Sequence, residues 1–203
     1  MAITNTRTRY GTVAMTLHWL IALAVLTNIA LGLYHADFVP DNAPPDTQKF
    51  AFQIIQLHKS IGLTVLVLSV ARLLWRLVNP IPPLPATMNP ALRFVAHATH
   101  FLLYVLIVAI PLSGWALVSG SQLGLPTMYF GVIPWPNLWF LAELPRASKH
   151  ALHPMLLLTH VYLAWSAIVL IPIHVLGALY HQFLRGDDVL KRMIPGTKVA
   201  ESA

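Results

Sequence analysis

Four long apolar stretches constrain this chain more than any other feature of its 203 residues. They run roughly over residues 13–34, 58–78, 94–118 and 155–180. Each has about the 20 residues that a helix needs to cross a hydrocarbon core of about 30 Å. Because lipid offers the backbone no hydrogen-bonding partner, such stretches must be helical. The sequence therefore predicts an all-α fold, an integral membrane four-helix bundle, in a single domain over residues 1–203.

The first stretch must be distinguished from the apolar part of a secretory signal peptide. It is longer than the usual run of about 7–15 apolar residues in such a peptide. No clear small-x-small cleavage motif follows it. We expect it to be retained as a membrane span.

Composition supports membrane residence and narrows the chemistry. Hydrophobic residues make up 57% of the chain and charged residues only 10%, against about 25% charged residues in soluble domains. Cysteine is absent. This excludes disulfides, cysteine-bound iron–sulfur clusters and covalently attached haem. The ten histidines are then the most plentiful metal ligands that remain.

The formal charge of +6 is distributed unevenly between the predicted sides of the membrane. One side carries the larger set of basic residues: Arg7, Arg9, Arg72, Arg76, Arg93, Arg185, Lys191, Arg192 and Lys198. The other side carries Lys49, Lys59, Arg146 and Lys149, together with Asp37, Asp41, Asp46 and Glu143. The positive-inside rule then places both termini in the cytoplasm. Because the cations are scattered at span ends, we expect no nucleic-acid partner.

Two connections between the spans have distinctive compositions. The segment NPIPPLPATMNP is a tight, proline-rich loop in which Asn89 and Pro90 form a typical helix start. The connection over about residues 119–153, the outer loop, is the longest and contains several prolines and tryptophans. We expect the outer loop to fold as a lid at the membrane interface.

Four histidines fall at two matched depths of the predicted spans. His160 and His174 are 14 residues apart, which places them about 40° apart around a helix and about 21 Å apart along it. Counted from the polar ends of the spans, His18 matches the inner depth of His174 and His58 the outer depth of His160. Two histidine pairs are the axial ligands that two six-coordinate haems require. Filled axial positions favour electron transfer over oxygen chemistry.

The remaining histidines keep two interpretations, because a lone histidine in a span is often a hydrogen-bonded packing residue. His97 and His100 form an H-x-x-H pair on one helix face, near the inner end of the third span. Two ligands are too few for a structural metal site. We expect this pair, and His181 after the last span, to have a polar role near the inner haem or at a quinone pocket. Simple packing is the alternative.

Arginines near the inner ends of the spans also have two interpretations. Arg72 is 14 residues after His58, at the depth of His174, and Arg76 and Arg93 lie near the same end. A guanidinium group at this depth needs a partner, and haem propionates would serve. Alternatively, these side chains extend to the cytoplasmic surface and set the orientation.

Two glycines give weaker support for a bound macrocycle. Gly32 is 14 residues after His18, and Gly114 is 14 residues after His100. Each could leave room for a flat ring at the outer depth. Small residues are also common where membrane helices pack together, so this interpretation stays open as well.

The histidines and their neighbours lie in five segments: TLHWLIAL, IQLHKSIG, AHATHFLLY, LTHVYLAW and IHVLGALYHQFLRGDDVLKRMIPG. Together these segments resemble the bacterial cytochrome b561 family, which is related to the cytochrome b subunits of nickel hydrogenases. The resemblance covers nearly the whole chain. It implies a bacterial inner-membrane bundle with two non-covalent b haems. His18 and His174 would ligate the inner haem, and His58 and His160 the outer one.

The resemblance also implies an oxidoreductase. Some short members of the family are superoxide oxidases that pass the electron to ubiquinone, and the outer loop is longer here than in those members. We therefore expect transmembrane electron transfer to or from a membrane quinone. Superoxide is a candidate donor, because the cations on the outer side would attract an anion.

Two other functions remain possible from the sequence. The chain could be a haem-bearing membrane anchor that relays electrons for a soluble dehydrogenase or hydrogenase, with a redox partner protein docked on the outer side. A metal-ion transporter lined by histidines fits less well. Such a path usually includes carboxylates within the membrane, and none of the predicted spans contains Asp or Glu.

Overall fold

A computed structural model of the protein describes residues 2–37, 42–85, 87–124 and 126–197. Three long helices come first: α1 (Thr12–Asp37), α2 (Pro45–Val78) and α3 (Pro90–Ser119). The outer loop then forms the strands β1 (Thr127–Tyr129) and β2 (Ile133–Trp135) and the short helix α4 (Trp139–Ala142). The last long helix, α5 (Arg146–Tyr180), continues into a π-helical turn (His181–Arg185), and a 3-10 turn (Lys191–Met193) follows.

Four of these helices are long and apolar enough to cross a membrane. The candidate spans cover Thr12–Ala36, Pro45–Val78, Pro90–Ser119 and Arg146–Arg185, with mean hydropathies from 1.8 to 2.3. Large apolar side chains on them are widely exposed, for example Leu23 at 66% and Phe101 at 67%. A soluble protein rarely exposes so much contiguous apolar surface, whereas lipid tails accept it. The predicted helical membrane fold is confirmed.

The helices extend beyond the apolar stretches that predicted them. α2 begins at Pro45, so His58 lies in its interior. α5 begins at Arg146, so the last part of the predicted outer loop is helical. Each start follows a proline whose carbonyl accepts the first helical N–H, Pro44 from Gln48 and Pro145 from Lys149, both at 3.0 Å. Hydropathy locates the lipid-embedded part of a helix, and turn chemistry locates its ends.

The start of α3 agrees with the sequence. Pro90 is its first residue. The Asn89 side-chain oxygen accepts the N–H of Ala91 at 2.8 Å, and the Asn89 carbonyl accepts the N–H of Arg93 at 3.0 Å. Asparagine caps the exposed donors, while proline, which lacks an N–H, loses nothing at the first helical position.

The outer loop is folded against α2. β1 and β2 pair antiparallel, with Tyr129 opposite Ile133. The connecting residues Phe130 and Gly131 adopt left-handed conformations with φ of 48° and 73°. The fully buried Ser60 hydroxyl accepts the N–H of Phe130 at 2.9 Å. The Tyr129 hydroxyl lies 2.9 Å from the Thr64 hydroxyl, one helical turn further along α2.

A second pair of bonds attaches the outer loop to α3. Ser119 accepts the N–H of Leu138 at 2.9 Å, and the Trp115 indole donates to the carbonyl of Pro136 at 2.9 Å. The prediction that this loop is folded therefore agrees with the structure. Its position at a membrane interface stays a prediction.

The residues group into two compact units. The first unit is drawn from Met1–Ile21, Leu68–Leu106 and Ser166–Ala203. The second unit is drawn from Ala22–Val67 and Ile107–Trp165. Each of the four long helices thus contributes one segment to each unit. The predicted single domain over residues 1–203 stays a prediction.

Within the first unit, side chains near the N-terminus hold the C-terminal segment. The Trp19 indole donates to the carbonyl of Met193 at 2.8 Å. The Arg9 guanidinium donates to the carbonyl of Ile194 at 2.9 Å and also to that of Thr197. Arg192 in turn donates to the carbonyl of Pro83 at 2.6 Å, in the proline-rich loop.

We expect Ser60→Ala to loosen the outer loop. The substitution leaves the Phe130 N–H without its acceptor, which costs about 1–3 kcal/mol for a buried donor. The opening equilibrium of the loop should rise about tenfold, since 1.4 kcal/mol is a factor of ten. Limited proteolysis of the detergent-solubilised protein measures this as faster cleavage within residues 119–145.

Ser121→Ala is the matched control, because the Ser121 hydroxyl accepts only the exposed N–H of Leu123. Its cleavage rate should stay at the wild-type value. Equal rates for Ser60→Ala and wild type would show that the Ser60 bond does not hold the hairpin.

Candidate haem sites

His58 and His160 face each other in the second unit. Their ring centroids are 6.1 Å apart and their planes make an angle of 86°. The Nδ1 atom of His58 lies 3.0 Å from the carbonyl oxygen of Asn28. The Nδ1 atom of His160 lies 3.1 Å from that of Ile110. A carbonyl only accepts, so each Nδ1 carries the proton and each Nε2 is free to bind a metal.

Ser113 gives His160 a second acceptor. The Ser113 hydroxyl oxygen lies 3.0 Å from Nδ1 of His160. The same hydroxyl donates its own proton to the carbonyl of Ile110 at 2.7 Å. The ring N–H of His160 is therefore shared between two oxygens on α3, which fixes both the tautomer and the ring orientation.

Each of these imidazoles also lies against a glycine. A Cβ at Gly32 would lie 3.0 Å from Cε1 of His58, and a Cβ at Gly114 would lie 3.0 Å from Cε1 of His160. Gly32 is one helical turn after Asn28, and Gly114 one turn after Ile110. The two histidines thus use one arrangement twice, in which a ring donates to a carbonyl and packs over the glycine four residues later.

His18 and His174 form the corresponding pair in the first unit. Their ring centroids are 6.2 Å apart and their planes make an angle of 72°. A third ring joins them, because His100 lies edge-on to His174 with centroids 5.0 Å apart. Nδ1 of His100 lies 2.7 Å from the carbonyl of Ala96. His97 has an exposed side chain, so the structure brings only the second member of the H-x-x-H pair to this cluster.

Two arginines lie close to the first pair. Arg72 donates to the carbonyl of Ala14 at 2.8 Å, one helical turn before His18. The guanidinium carbons of Arg72 and Arg76 lie 5.7 and 4.9 Å from the ring centre of Tyr104. Neither arginine forms an ion pair with any residue in the described part of the chain.

The phenol nearest these arginines does not neutralise them. Burial raises the pKa of Tyr10 above its ordinary value, and the nearby Arg76 guanidinium offsets only part of this rise. Tyr10 is therefore neutral at physiological pH. The first unit keeps two positive charges near His18 and His174.

The ring separations leave room for one metal ion in each pair. An imidazole nitrogen binds a first-row metal at about 2 Å and lies about 1.2 Å from its ring centre, so rings on opposite sides of one ion have centres about 6.4 Å apart. The observed 6.1 and 6.2 Å are close to that value. Within the described residues, no group of three or more histidine or carboxylate side chains could hold a metal. A metal here would need additional ligands from a bound group.

His181 lies apart from both pairs, beside a cavity in the first unit. The cavity has a volume of about 430 Å³ and is lined by Thr87, Met88, Asn89, Leu92, Tyr180, His181, Arg185 and Asp187. The buried His181 donates from Nδ1 to the carboxylate of Asp187 at 2.7 Å. A π-helical turn, which is common at functional sites, presents His181 here.

Comparison with known proteins assigns the family. A family model described as prokaryotic cytochrome b561 matches residues 9–196. The chain therefore belongs to the prokaryotic cytochrome b561 family. It is 38% identical over 200 residues to "Cytochrome b561 homolog 2" of Escherichia coli (strain K12), which covers 96% of this chain and 95% of that relative.

Two further relatives match over similar lengths. The chain is 29% identical to "Probable superoxide oxidase CybB" of Yersinia pestis, over 92% of this chain and 96% of the relative. It is 30% identical to "Cytochrome b562" of Cereibacter sphaeroides, over 91% of this chain and 94% of the relative. The protein is thus a multi-pass bacterial membrane cytochrome with b-type haem and a role in electron transfer, as the resemblance implied.

The residues present fit such a haem. The porphyrin supplies four nitrogens in a plane, and a facing imidazole pair supplies the two axial ligands that two side chains alone leave incomplete. The glycines at 3.0 Å make space for the imidazole rings, where a larger residue would displace them. The sequence predicted that these glycines would leave space for the macrocycle; in the structure their contact is with the ligand rings.

Several residues of these sites were not found by sequence reasoning. Asn28 and Ile110 contribute only backbone carbonyls, which any residue has, and Ser113 is one of several serines in apolar segments. Asp187 lies in the pair DD after the last span and was not connected to His181. The glycine positions were the available signal, because each marks a carbonyl one turn earlier.

We expect Gly114→Val to lower the haem content of the purified protein. The added side chain would collide with His160 and turn its ring away from His58. The haem-to-protein ratio, measured by the pyridine haemochrome spectrum, should fall below that of wild type.

Gly177→Val is the matched control, since a Cβ at Gly177 meets nothing within 4 Å and both glycines lie in long helices. Its haem content should match wild type. A full haem complement in Gly114→Val would contradict the role given to this contact.

Proposed function

We propose that this protein holds two b haems on two histidine pairs and moves electrons across the bacterial inner membrane. His18 and His174 would ligate one haem, and His58 and His160 the other. The observation that carries the proposal is the pair of ring separations, 6.2 and 6.1 Å, each in a separate compact unit. Bound haem supplies a one-electron iron couple. The side chains orient it, exclude water and fill both axial positions.

Charged and polar side chains would complete the inner haem site. Arg72 and Arg76 would bind its propionates, which is supported by their lack of ion-pair partners in the described residues. His100 would contact the cofactor through its position beside His174. His97 would act only from the periphery, because its side chain is exposed.

We expect His58→Ala and His160→Ala each to remove one of two haem equivalents. The other pair belongs to a different unit and should keep its haem. Pyridine haemochrome analysis should give about half the wild-type haem-to-protein ratio in either variant. The wild-type reduced spectrum should not change with carbon monoxide, because both axial positions are filled.

His150→Ala is the control for loss of a histidine, since its side chain is exposed at the start of α5. It should retain both haems. Loss of all haem from a stably folded His160→Ala variant would contradict independent sites.

The electron donor in this proposal is superoxide on the outer side. Both chain termini would then lie in the cytoplasm, as the distribution of arginine and lysine indicates. Lys59 follows His58 directly, and Lys49, Arg146 and Lys149 belong to the same unit. These cations would attract the superoxide anion. Each superoxide would give one electron and leave as dioxygen. The name of the Yersinia pestis relative is consistent with this donor.

The electron acceptor in this proposal is ubiquinone in the cavity beside His181. A volume of about 430 Å³ is within the usual range for small-molecule sites. Two electrons and two protons convert ubiquinone to ubiquinol. His181 would hold a proton near the quinone oxygen, with Asp187 keeping the ring oriented.

A stopped-flow experiment separates the two half-reactions. Superoxide should reduce the haem of the purified protein, and a short-chain ubiquinone should then reoxidise it. Lys59→Gln should slow the first step several-fold at low ionic strength, because it removes a steering charge, and should leave the second step unchanged. His181→Ala should slow only the second step.

Lys191→Gln serves as the charge control, since Lys191 belongs to the first unit and pairs with Asp188. Superoxide reduction rates that are identical in Lys59→Gln and wild type would eliminate the steering idea. If catalysis requires a co-purified dehydrogenase and the isolated chain is inactive, the membrane-anchor function replaces this one.

A further inference from the structure

We infer that the protein itself orders the two haem reduction potentials, with the lower potential at the His58–His160 site. The inference rests on the proposed function, because it requires both histidine pairs to ligate iron. It is carried by two differences between the units. One is the hydrogen bonding of the ligand rings, and the other is the charge around them.

The first difference is in the ring N–H groups. Both His58 and His160 donate Nδ1–H to backbone carbonyls, and His160 also to Ser113. Such bonds increase the electron density on the opposite nitrogen and make the imidazole a more basic ligand. A more basic ligand stabilises ferric over ferrous iron. Hydrogen bonding therefore lowers the potential at this site.

The His18–His174 pair has a different environment. Within the described residues, neither ring has a hydrogen bond of the kind that His58 and His160 make. The His100 ring lies edge-on to His174 with a centroid separation of 5.0 Å, and its own Nδ1 lies 2.7 Å from the Ala96 carbonyl. His18 and His174 are therefore the less basic pair, which raises the potential at their site.

The second difference is in the surrounding charge. Arg72 is bonded to the carbonyl of Ala14, one turn from His18, and Arg76 lies over the same Tyr104 ring as Arg72. Reduction removes one positive charge from iron, so nearby cations favour the reduced state. Two guanidinium groups without ion-pair partners in the described residues act in this way at the first-unit site. In the second unit the cation adjacent to a ligand is Lys59, which opposes the order with a single charge.

Both differences point in the same direction. One electron would leave the iron held by His58 and His160, taking it from ferrous to ferric, and would reduce the iron held by His18 and His174 from ferric to ferrous. No bond breaks and no proton moves in this step. A tenfold preference for the electron at the second location corresponds to about 59 mV for a one-electron couple.

A spectroelectrochemical titration of the purified protein tests the order. Wild type should show two one-electron waves and two haems per chain. His58→Ala, which keeps the His18–His174 pair, should retain the upper wave, and His18→Ala should retain the lower wave. The opposite assignment overturns the inference while leaving the two-haem proposal intact. A single haem per wild-type chain instead overturns the proposed function itself.

Two substitutions that keep all four ligands test the causes directly. Ser113→Ala removes one acceptor from His160 and should shift only the lower wave, to more positive potential. Thr159→Ala is its control, because the Thr159 hydroxyl donates to the carbonyl of Met155 and makes no recorded contact with the ring. An unmoved lower wave in Ser113→Ala, or an equal shift in Thr159→Ala, overturns the hydrogen-bond argument.

Arg72→Gln tests the charge argument. It should shift only the upper wave, to more negative potential, and Arg72→Lys should restore most of the wild-type value because it keeps the charge. A structural role for Arg72 alone would move both variants alike, since lysine cannot reproduce the guanidinium geometry. Equal shifts in the two variants therefore overturn the charge argument.

Discussion

The hydrogen bond from an imidazole N–H to a helix carbonyl is the interaction on which the second-unit site depends. Lipid cannot satisfy a buried N–H, and a helix carbonyl already accepts one bond from the residue four positions later. Its second lone pair is accessible to another helix only where the neighbouring side chain is small. Gly32 and Gly114 provide that access beside Asn28 and Ile110. The requirements of the ring select both the glycine and its position.

Sequence reasoning found the parts of this protein that are written as residue types at fixed spacings. The four spans followed from apolar length, and the start of α3 from the Asn89–Pro90 pair. The structure placed His58 opposite His160 and His18 opposite His174, as the depth argument expected. Backbone acceptors and the pairing of His181 with Asp187 were beyond reach, because they depend on tertiary approach and leave no side-chain pattern.

The two units share a chain but differ in how they stabilise their histidines. In the second unit, carbonyls, a serine hydroxyl and glycines surround His58 and His160, and the outer loop is bonded to the helix that carries His58. In the first unit, arginines, aromatic rings and a third histidine surround His18 and His174. Each helix therefore presents different chemistry at its two ends, which a single overall hydropathy value cannot reveal.

The attachment of the C-terminal segment to Trp19 and Arg9 has a consequence for biogenesis. His58 and His160 are both available once the ribosome has made about four-fifths of the chain. His18 is synthesised early, but its partner His174 comes late, and the segment that braces Trp19 comes later still. The first-unit site must therefore wait, open, through most of translation. Cofactor insertion there is a late event, and the newest part of the polypeptide closes over one of the oldest.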